Sequence, residues 1–143
     1  MSAEGLFTLC SGLVLPGWFM LVFAPRWRWT DRLVSLNILP LLLAAVYIGL
    51  IIARFGMAEG GFGSLAQVRQ LFEDPYLLLA GWVHYLAFDL FVGGWEARDA
   101  RRLGLPHVLV APCLVLTLLF GPIGFLLYWV LRGALRRRFT VTD

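Results

Sequence analysis

The chain has 143 residues, of which 60% are hydrophobic and only 15% charged, against roughly 25% charged in soluble domains. The length fits one domain, and a soluble domain this short has too much surface for its volume to hide so much apolar area. Composition therefore excludes an ordinary soluble fold and points to a bilayer. The net charge of +3 sits in short Arg clusters at the ends of apolar runs, the pattern of helix flanks meeting lipid phosphates and not that of a nucleic-acid surface.

The first apolar run covers 5–25 and ends in the interfacial flank Pro25-Arg26-Trp27-Arg28-Trp29. No basic segment precedes it and no small-residue cleavage site follows it, so it reads as a retained helix and not a signal peptide. The second run, 33–53, is uncharged and starts after Thr30-Asp31, a candidate cap. Asn37 and Pro40 lie in its first turns, and a kink is expected at Pro40. Gly56, Gly60, Gly61 and Gly63 then make a flexible connection. After it, Leu65, Val68, Leu71 and Phe72 recur at helical spacing among Gln67, Arg69, Gln70 and Glu73. That pattern predicts a short amphipathic helix over about 64–74 at the membrane surface, with a cap over the bundle as the plainer alternative.

The third run, 76–103, has Pro75 in a helix-starting position and is the only run with charges inside it. Gly104 and Pro106 stop it. The fourth, 107–131, carries Pro112 and the breaker Phe120-Gly121-Pro122-Ile123-Gly124, which should bend or unwind the helix near mid-membrane; a basic tail fills 132–143. Cys10 and Cys113 lie inside apolar runs without a metal-spaced partner and read as small core residues. The expected fold is an all-α membrane protein of one domain, a four-transmembrane-helix bundle with an interfacial helix between helices two and three. Four spans put both termini on one side. Arg26, Arg28, Arg32, Arg98, Arg101 and Arg102 then balance Arg54, Arg69, Arg132 and Arg136 to Arg138, so the positive-inside rule leaves orientation open.

An ionisable side chain at a helix centre in lipid costs roughly 2.5–3.5 kcal/mol on insertion scales, so those kept on the third helix are candidates for function. His84 and Asp89 lie well inside it and point about 140° apart around the helix, which rules out a simple i, i+4 pair. The plainer readings are a core histidine bonded to a carbonyl and an aspartate paired with an Arg reaching in from a flank. Asp89 and Glu96 share a face with Trp82, Tyr85 and Gly93, with Asp99 near its edge. Gly93 lets another helix or a flat ligand come close. His84, Phe88, Phe91 and Trp95 form a second, aromatic face. If helices three and four are antiparallel, His107 lies level with Glu96 and Asp99. With Asp89 below them, these carboxylates and an imidazole suit a non-haem iron or another divalent ion; the alternative is a solvated, salt-bridged helix end. Nucleophile-elbow, phosphate-loop and dinucleotide motifs are absent.

Several segments read together: Leu15-Pro16-Gly17-Trp18, Phe23-Ala24-Pro25-Arg26-Trp27 with Thr30, Gly81-Trp82-Val83-His84-Tyr85-Leu86, Asp89-Leu90-Phe91-Val92-Gly93, Trp95, and the Phe120 to Gly124 breaker. The chain resembles the abscisic-acid-deficient-four-like family of small polytopic membrane proteins over nearly its whole length, the Gly-rich connection and the tail excepted. Plant members are needed for neoxanthin formation from violaxanthin in plastids. They carry Arg where this chain has Gly94 and an apolar residue where it has Glu96, whereas bacterial members are closer through Glu96, Asp99 and His107. The resemblance thus implies a bacterial inner-membrane protein that handles a carotenoid or related isoprenoid, with neoxanthin not the obvious product. Isomerisation, epoxide opening or oxidative conversion would need a proton donor and acceptor, with Asp89 and His84 as the catalytic pair. Trp82, Tyr85, Phe88, Gly93, Trp95 and Asn37 would contact the substrate in a lipid-open groove. Non-catalytic alternatives are a pigment or lipid carrier and an assembly factor for a membrane complex. A transporter with Asp89 as proton relay would require an oligomer.

Overall fold

A computed structural model describes residues 1–35 and 37–136; of the basic tail expected over 132–143, the part from 137 on lies outside the described residues. All regular structure among the described residues is helical. Three helices are long and apolar enough to cross a membrane: Ala3–Phe23, Arg28–Arg54 and Pro75–Arg102. At 1.5 Å per residue each exceeds the roughly 30 Å of a bilayer's hydrocarbon core.

Helix α1 (Ala3–Phe23) starts at Ser2, whose hydroxyl accepts the Gly5 N–H at 3.2 Å. It buries Cys10, Val14, Trp18 and Leu21 along one stripe while Leu9, Leu15, Phe19 and Phe23 stay exposed. That outward apolar face is what a lipid solvent permits. The next crossing is broken. A short turn, α2 (Arg28–Thr30), runs into a π-helical turn at Asp31–Ser35, and α3 (Ile38–Arg54) follows. Asn37 between them has φ of 62°, a left-handed conformation that Asn tolerates better than most residues. The kink expected at Pro40 is therefore a break at Asn37. Pro40 falls in the first turn of α3, where a missing N–H breaks no helical bond.

The short helix α4 (Leu65–Leu71) is capped by Ser64, which accepts the Gln67 N–H at 3.2 Å. It buries Leu71 and leaves Leu65 out. Helix α5 (Pro75–Arg102) is the central element, packed against α1, α3 and the C-terminal helices. Asp74 caps it by accepting the Tyr76 and Leu77 N–H groups at 2.8 and 3.2 Å, and it also holds Arg54 at the end of α3, 2.8 Å away. Desolvation works against the charged Asp74, but the Arg54 guanidinium and the two N–H groups outweigh it and hold the carboxyl below the usual carboxylate range.

The fourth apolar run does not cross. It forms α6 (His107–Phe120) and α7 (Pro122–Arg136), of 14 and 15 residues, each about 21–23 Å long and too short to span alone. Gly121, at φ 48°, turns the chain, and Pro122 starts α7 in the position proline favours. A Cβ on Gly124 would sit 2.0 Å from the Thr117 nitrogen and 2.5 Å from the Cys113 carbonyl oxygen. Those are backbone atoms of α6 one and two turns back from its end, so α7 lies folded against α6. The partners on α5 confirm the reversal: Gly121 meets Asp89, Tyr128 and Arg132 meet Asp99, and Arg136 donates to the Gly104 carbonyl at 2.8 Å. Helices α6 and α7 are thus a re-entrant hairpin with its tip at the middle of α5.

The expected bend is therefore a full reversal, and the first and last described residues, Met1 and Arg136, do not share a side. Tyr76, at the start of α5, donates to the Met1 carbonyl, while Arg136 lies at the far end of α5. The hairpin gathers Arg26, Arg28, Arg32, Arg98, Arg101, Arg102, Arg132 and Arg136 toward one face and leaves only Arg54 and Arg69 at the other among the described residues. The positive-inside rule now has a clear answer. In a bacterial inner membrane, reporter fusions after Arg136 should read as cytoplasmic and insertions near Gly61 as external; equal signals from both would refute the hairpin. Gly124→Ala should lower thermal stability in detergent by at least about 1–3 kcal/mol, the cost of overpacking, because the added methyl meets backbone. Asp74→Ala should cost about 1 kcal/mol at neutral pH, a typical cap loss. Since the folded carboxyl is the stronger acid, that difference is present above the unfolded pKa and should vanish on acidification through the folded one, which denaturation curves at stepped pH would read.

Candidate functional site

Two features stand apart on α5. The first is an open cavity of about 880 Å³ lined by α1, α3, α4 and the first half of α5. Its walls include Phe7, Tyr47, Phe55, Phe62, Phe72 and Trp82, with His84 and Tyr85 the lining residues farthest along α5. The amphipathic α4 supplies one wall through Leu71 and Phe72, with the Phe72 ring against Gly81. The Asp74–Arg54 pair ties the end of α3 to the start of α5 beside it.

His84 is exposed to this side, stacked on Phe88 at 4.6 Å and facing Tyr47 at 5.6 Å. It is not the carbonyl-bonded core histidine of the plainer reading, since its ring makes no hydrogen bond among the described residues. Trp82 donates its ring N–H to the Ser11 hydroxyl at 3.0 Å and packs against Phe7 and Tyr85. Phe88 is exposed beside His84.

The second feature is a polar seam between α5 and the hairpin. The Tyr85 hydroxyl donates to the Leu118 carbonyl at 2.9 Å and lies next to Asp89. Asp89 is half-buried, its Oδ2 has no hydrogen-bond partner among the described residues, and its Oδ1 is 3.0 Å from where a Cβ on Gly121 would be. Glu96 is fully buried, and the Thr117 hydroxyl donates to it, 3.0 and 3.2 Å from its two oxygens. Asp99 accepts the Tyr128 hydroxyl at 2.7 Å and Arg102 at 3.0 Å, and it stands 2.9 Å from Nε of the fully buried Arg132. That last contact is an ion pair without hydrogen-bond alignment, so none of the three Arg132 guanidinium nitrogens has a hydrogen-bond partner among the described residues; the group also stacks on Trp129, 5.2 Å away.

The sequence-derived candidates are therefore divided. Trp82, Tyr85, Asp89, Gly93 and Glu96 do share a face, which meets α1 and the hairpin. Gly93 admits the Trp18 ring, which a Cβ there would approach to 2.7 Å, so it serves helix packing. Trp95 packs on Phe125, Tyr128 and Trp129 of α7, and Asn37 sits at the helix break with its Oδ1 buried and without a hydrogen-bond partner among the described residues; neither lines the cavity. His84 and Asp89 are not brought together. The proposed metal grouping of Asp89, Glu96, Asp99 and His107 is not assembled either. His107 bonds the Val22 carbonyl at 2.8 Å, Glu96 and Asp99 take the partners above, and among the described residues no three His, Cys, Asp or Glu gather at ligand spacing. Thr117, Tyr128 and Arg132 escaped the sequence reading. The one available signal was the run of small residues Cys113, Thr117 and Gly121, spaced to line one face of α6.

A family model described as ABA DEFICIENT 4-like matches residues 5–128. Protein ABA DEFICIENT 4, chloroplastic, of Arabidopsis thaliana is similar at 23% identity over 146 residues, which cover 96% of this chain and 64% of that protein. The chain thus spans just under two thirds of the length of that relative. No solved structure matches it. The matched residues take in most of the cavity wall, the hairpin turn and the seam as far as Tyr128, and the chain belongs to the ABA DEFICIENT 4-like family.

Proposed function

We propose that the protein binds and converts a carotenoid or related isoprenoid within a bacterial inner membrane. The observation that carries this reading is the aromatic cavity of about 880 Å³ with an imidazole in its lining. Its size falls in the range of about 300–1,000 Å³ usual for small-molecule sites. Such a volume takes the end group of a long polyene, and the exposed rings of Phe88 and Phe91 continue along the lipid face of α5 from His84, where the rest of an apolar chain would lie. Family membership supports the same substrate class, since the resemblance to plant members implies carotenoid handling.

In this reading His84 is the acid–base group that meets the ligand. Asp89 does not reach the cavity. It acts from behind Tyr85, whose ring lines the cavity and whose hydroxyl lies beside the carboxyl. Isomerisation and epoxide opening both fit this pairing, because each moves a proton without a net change of oxidation state.

The test is expression in a carotenoid-producing bacterium, purification in detergent, and visible absorbance with chromatography of the extract. The wild type should carry pigment, and Trp82→Ala should weaken retention about tenfold, equivalent to roughly 1.4 kcal/mol. His84→Ala should keep pigment bound while abolishing the altered product. Colourless protein with no extractable isoprenoid would defeat the reading, and bound pigment with an unaltered isoprenoid profile would make the protein a carrier.

A further inference from the structure

On the Arg-rich face a second cavity, of about 470 Å³, opens between the end of α1, the last turns of α5 and the start of α6. Arg26, Arg101 and His107 form its polar wall, and Ala97, Ala100 and Leu105 its apolar one. We propose that this cavity binds the phosphate of an anionic phospholipid headgroup.

Three observations converge on that ligand. Arg101 is held in place, because its guanidinium donates to the Pro25 carbonyl at 3.1 Å and pairs with Asp31. Arg26, by contrast, is exposed and has no ion-pair partner among the described residues, so its charge is available. The surroundings stay cationic: Arg102 and Arg136 flank the same end of α5, and the nearest carboxylates, Asp31 and Asp99, are already paired with Arg101, Arg102 and Arg132. Basic pockets between membrane helices at the cytoplasmic face suit anionic headgroups. No side chain caps α6, whose first turn follows Pro106 at the cavity wall, and its positive end adds to the same field.

The apolar wall decides between the two sources of phosphate. Ala97, Ala100 and Leu105, themselves nearly buried, give the cavity an apolar floor against which the glycerol and upper acyl carbons of a lipid can pack and to which a free inorganic ion has nothing to offer. The position agrees, since the exposed Trp27 and Trp29 nearby mark the headgroup level.

The test reconstitutes the full chain in vesicles of equal phosphatidylglycerol and phosphatidylcholine, extracts it gently and weighs it by native mass spectrometry. One phosphatidylglycerol per chain should be retained in preference to phosphatidylcholine. Arg26→Gln should reduce that retention roughly fivefold, the effect of one basic residue at an anionic surface, with an unchanged circular-dichroism melt, and Arg26→Lys should restore it. Equal retention of the two lipids, or full retention by Arg26→Gln, would overturn the site. Thermal stabilisation by millimolar inorganic phosphate, lost in Arg26→Gln and unaccompanied by lipid retention, would overturn the lipid as occupant.

Discussion

The close contact of Gly124 with the backbone of α6 decides where every other element of this fold can stand. A helix that stops halfway through a bilayer ends where no water can bond its last carbonyls and first N–H groups, and each orphan costs several kcal/mol. The reversal at Gly121 survives because its backbone is covered. The Gly121 N–H donates to the Thr117 carbonyl at 2.9 Å, the Leu118 carbonyl receives the Tyr85 hydroxyl, and the Asp89 carboxyl lies on Gly121 itself. Lipid offers helices no hydrophobic reason to associate, so backbone proximity and polar pairing must hold the hairpin to α5. The segment Phe120 to Gly124 is then a set of distinct tasks: left-handed turn at Gly121, helix start at Pro122, backbone contact at Gly124.

The same constraint explains why α5 keeps its carboxylates. Asp99 joins three partners from two helices, and Arg132 comes to it fully buried on α7. Buried pairs of this kind seldom add much stability over an apolar replacement, but losing one partner strands the other charge. Their contribution is register. Arg132 can meet Asp99 only if α7 runs parallel to α5, which fixes the direction of the return leg. Glu96 does the corresponding job for α6 through Thr117. A carboxylate offers about four acceptor positions, and one hydroxyl serving both oxygens leaves the pairing specific but sparsely satisfied.

Much of this was legible in the residues. The lengths of the first and third apolar runs, the interfacial segment before Pro75, the stop at Gly104 and the break at Gly121 all follow from composition and backbone preference. The reversal was not legible, because 107–131 is long enough to cross and hydropathy carries no direction. The balanced Arg count inherited that error: moving one helix back to its starting side moves Arg132 and Arg136 with it. The metal grouping failed for a related reason. An antiparallel pairing puts Glu96, Asp99 and His107 level with one another but says nothing about nearer partners on other helices, and Thr117, Tyr128, Arg132 and the Val22 carbonyl claim them first. Proline is the commoner helix breaker, yet Pro40 in the first turn of α3 breaks nothing, and the break falls at Asn37, which tolerates positive φ.

The angular separation of His84 and Asp89 around α5 remains the feature with the most to say about chemistry. Two groups pointing about 140° apart cannot hold one small reactant between them, and here a whole helix lies in the way. One side of α5 faces a cavity walled by rings; the other carries the seam that anchors the hairpin tip. Tyr85 is the residue common to both, lining the cavity with its ring while its hydroxyl sits among Leu118, Asp89 and the turn. A change in the cavity that tilts this ring must therefore disturb the hydrogen bond that covers the end of α6, and a shift of the hairpin must move the ring in turn. Such coupling needs no pathway through the bundle, because one side chain supplies both contacts.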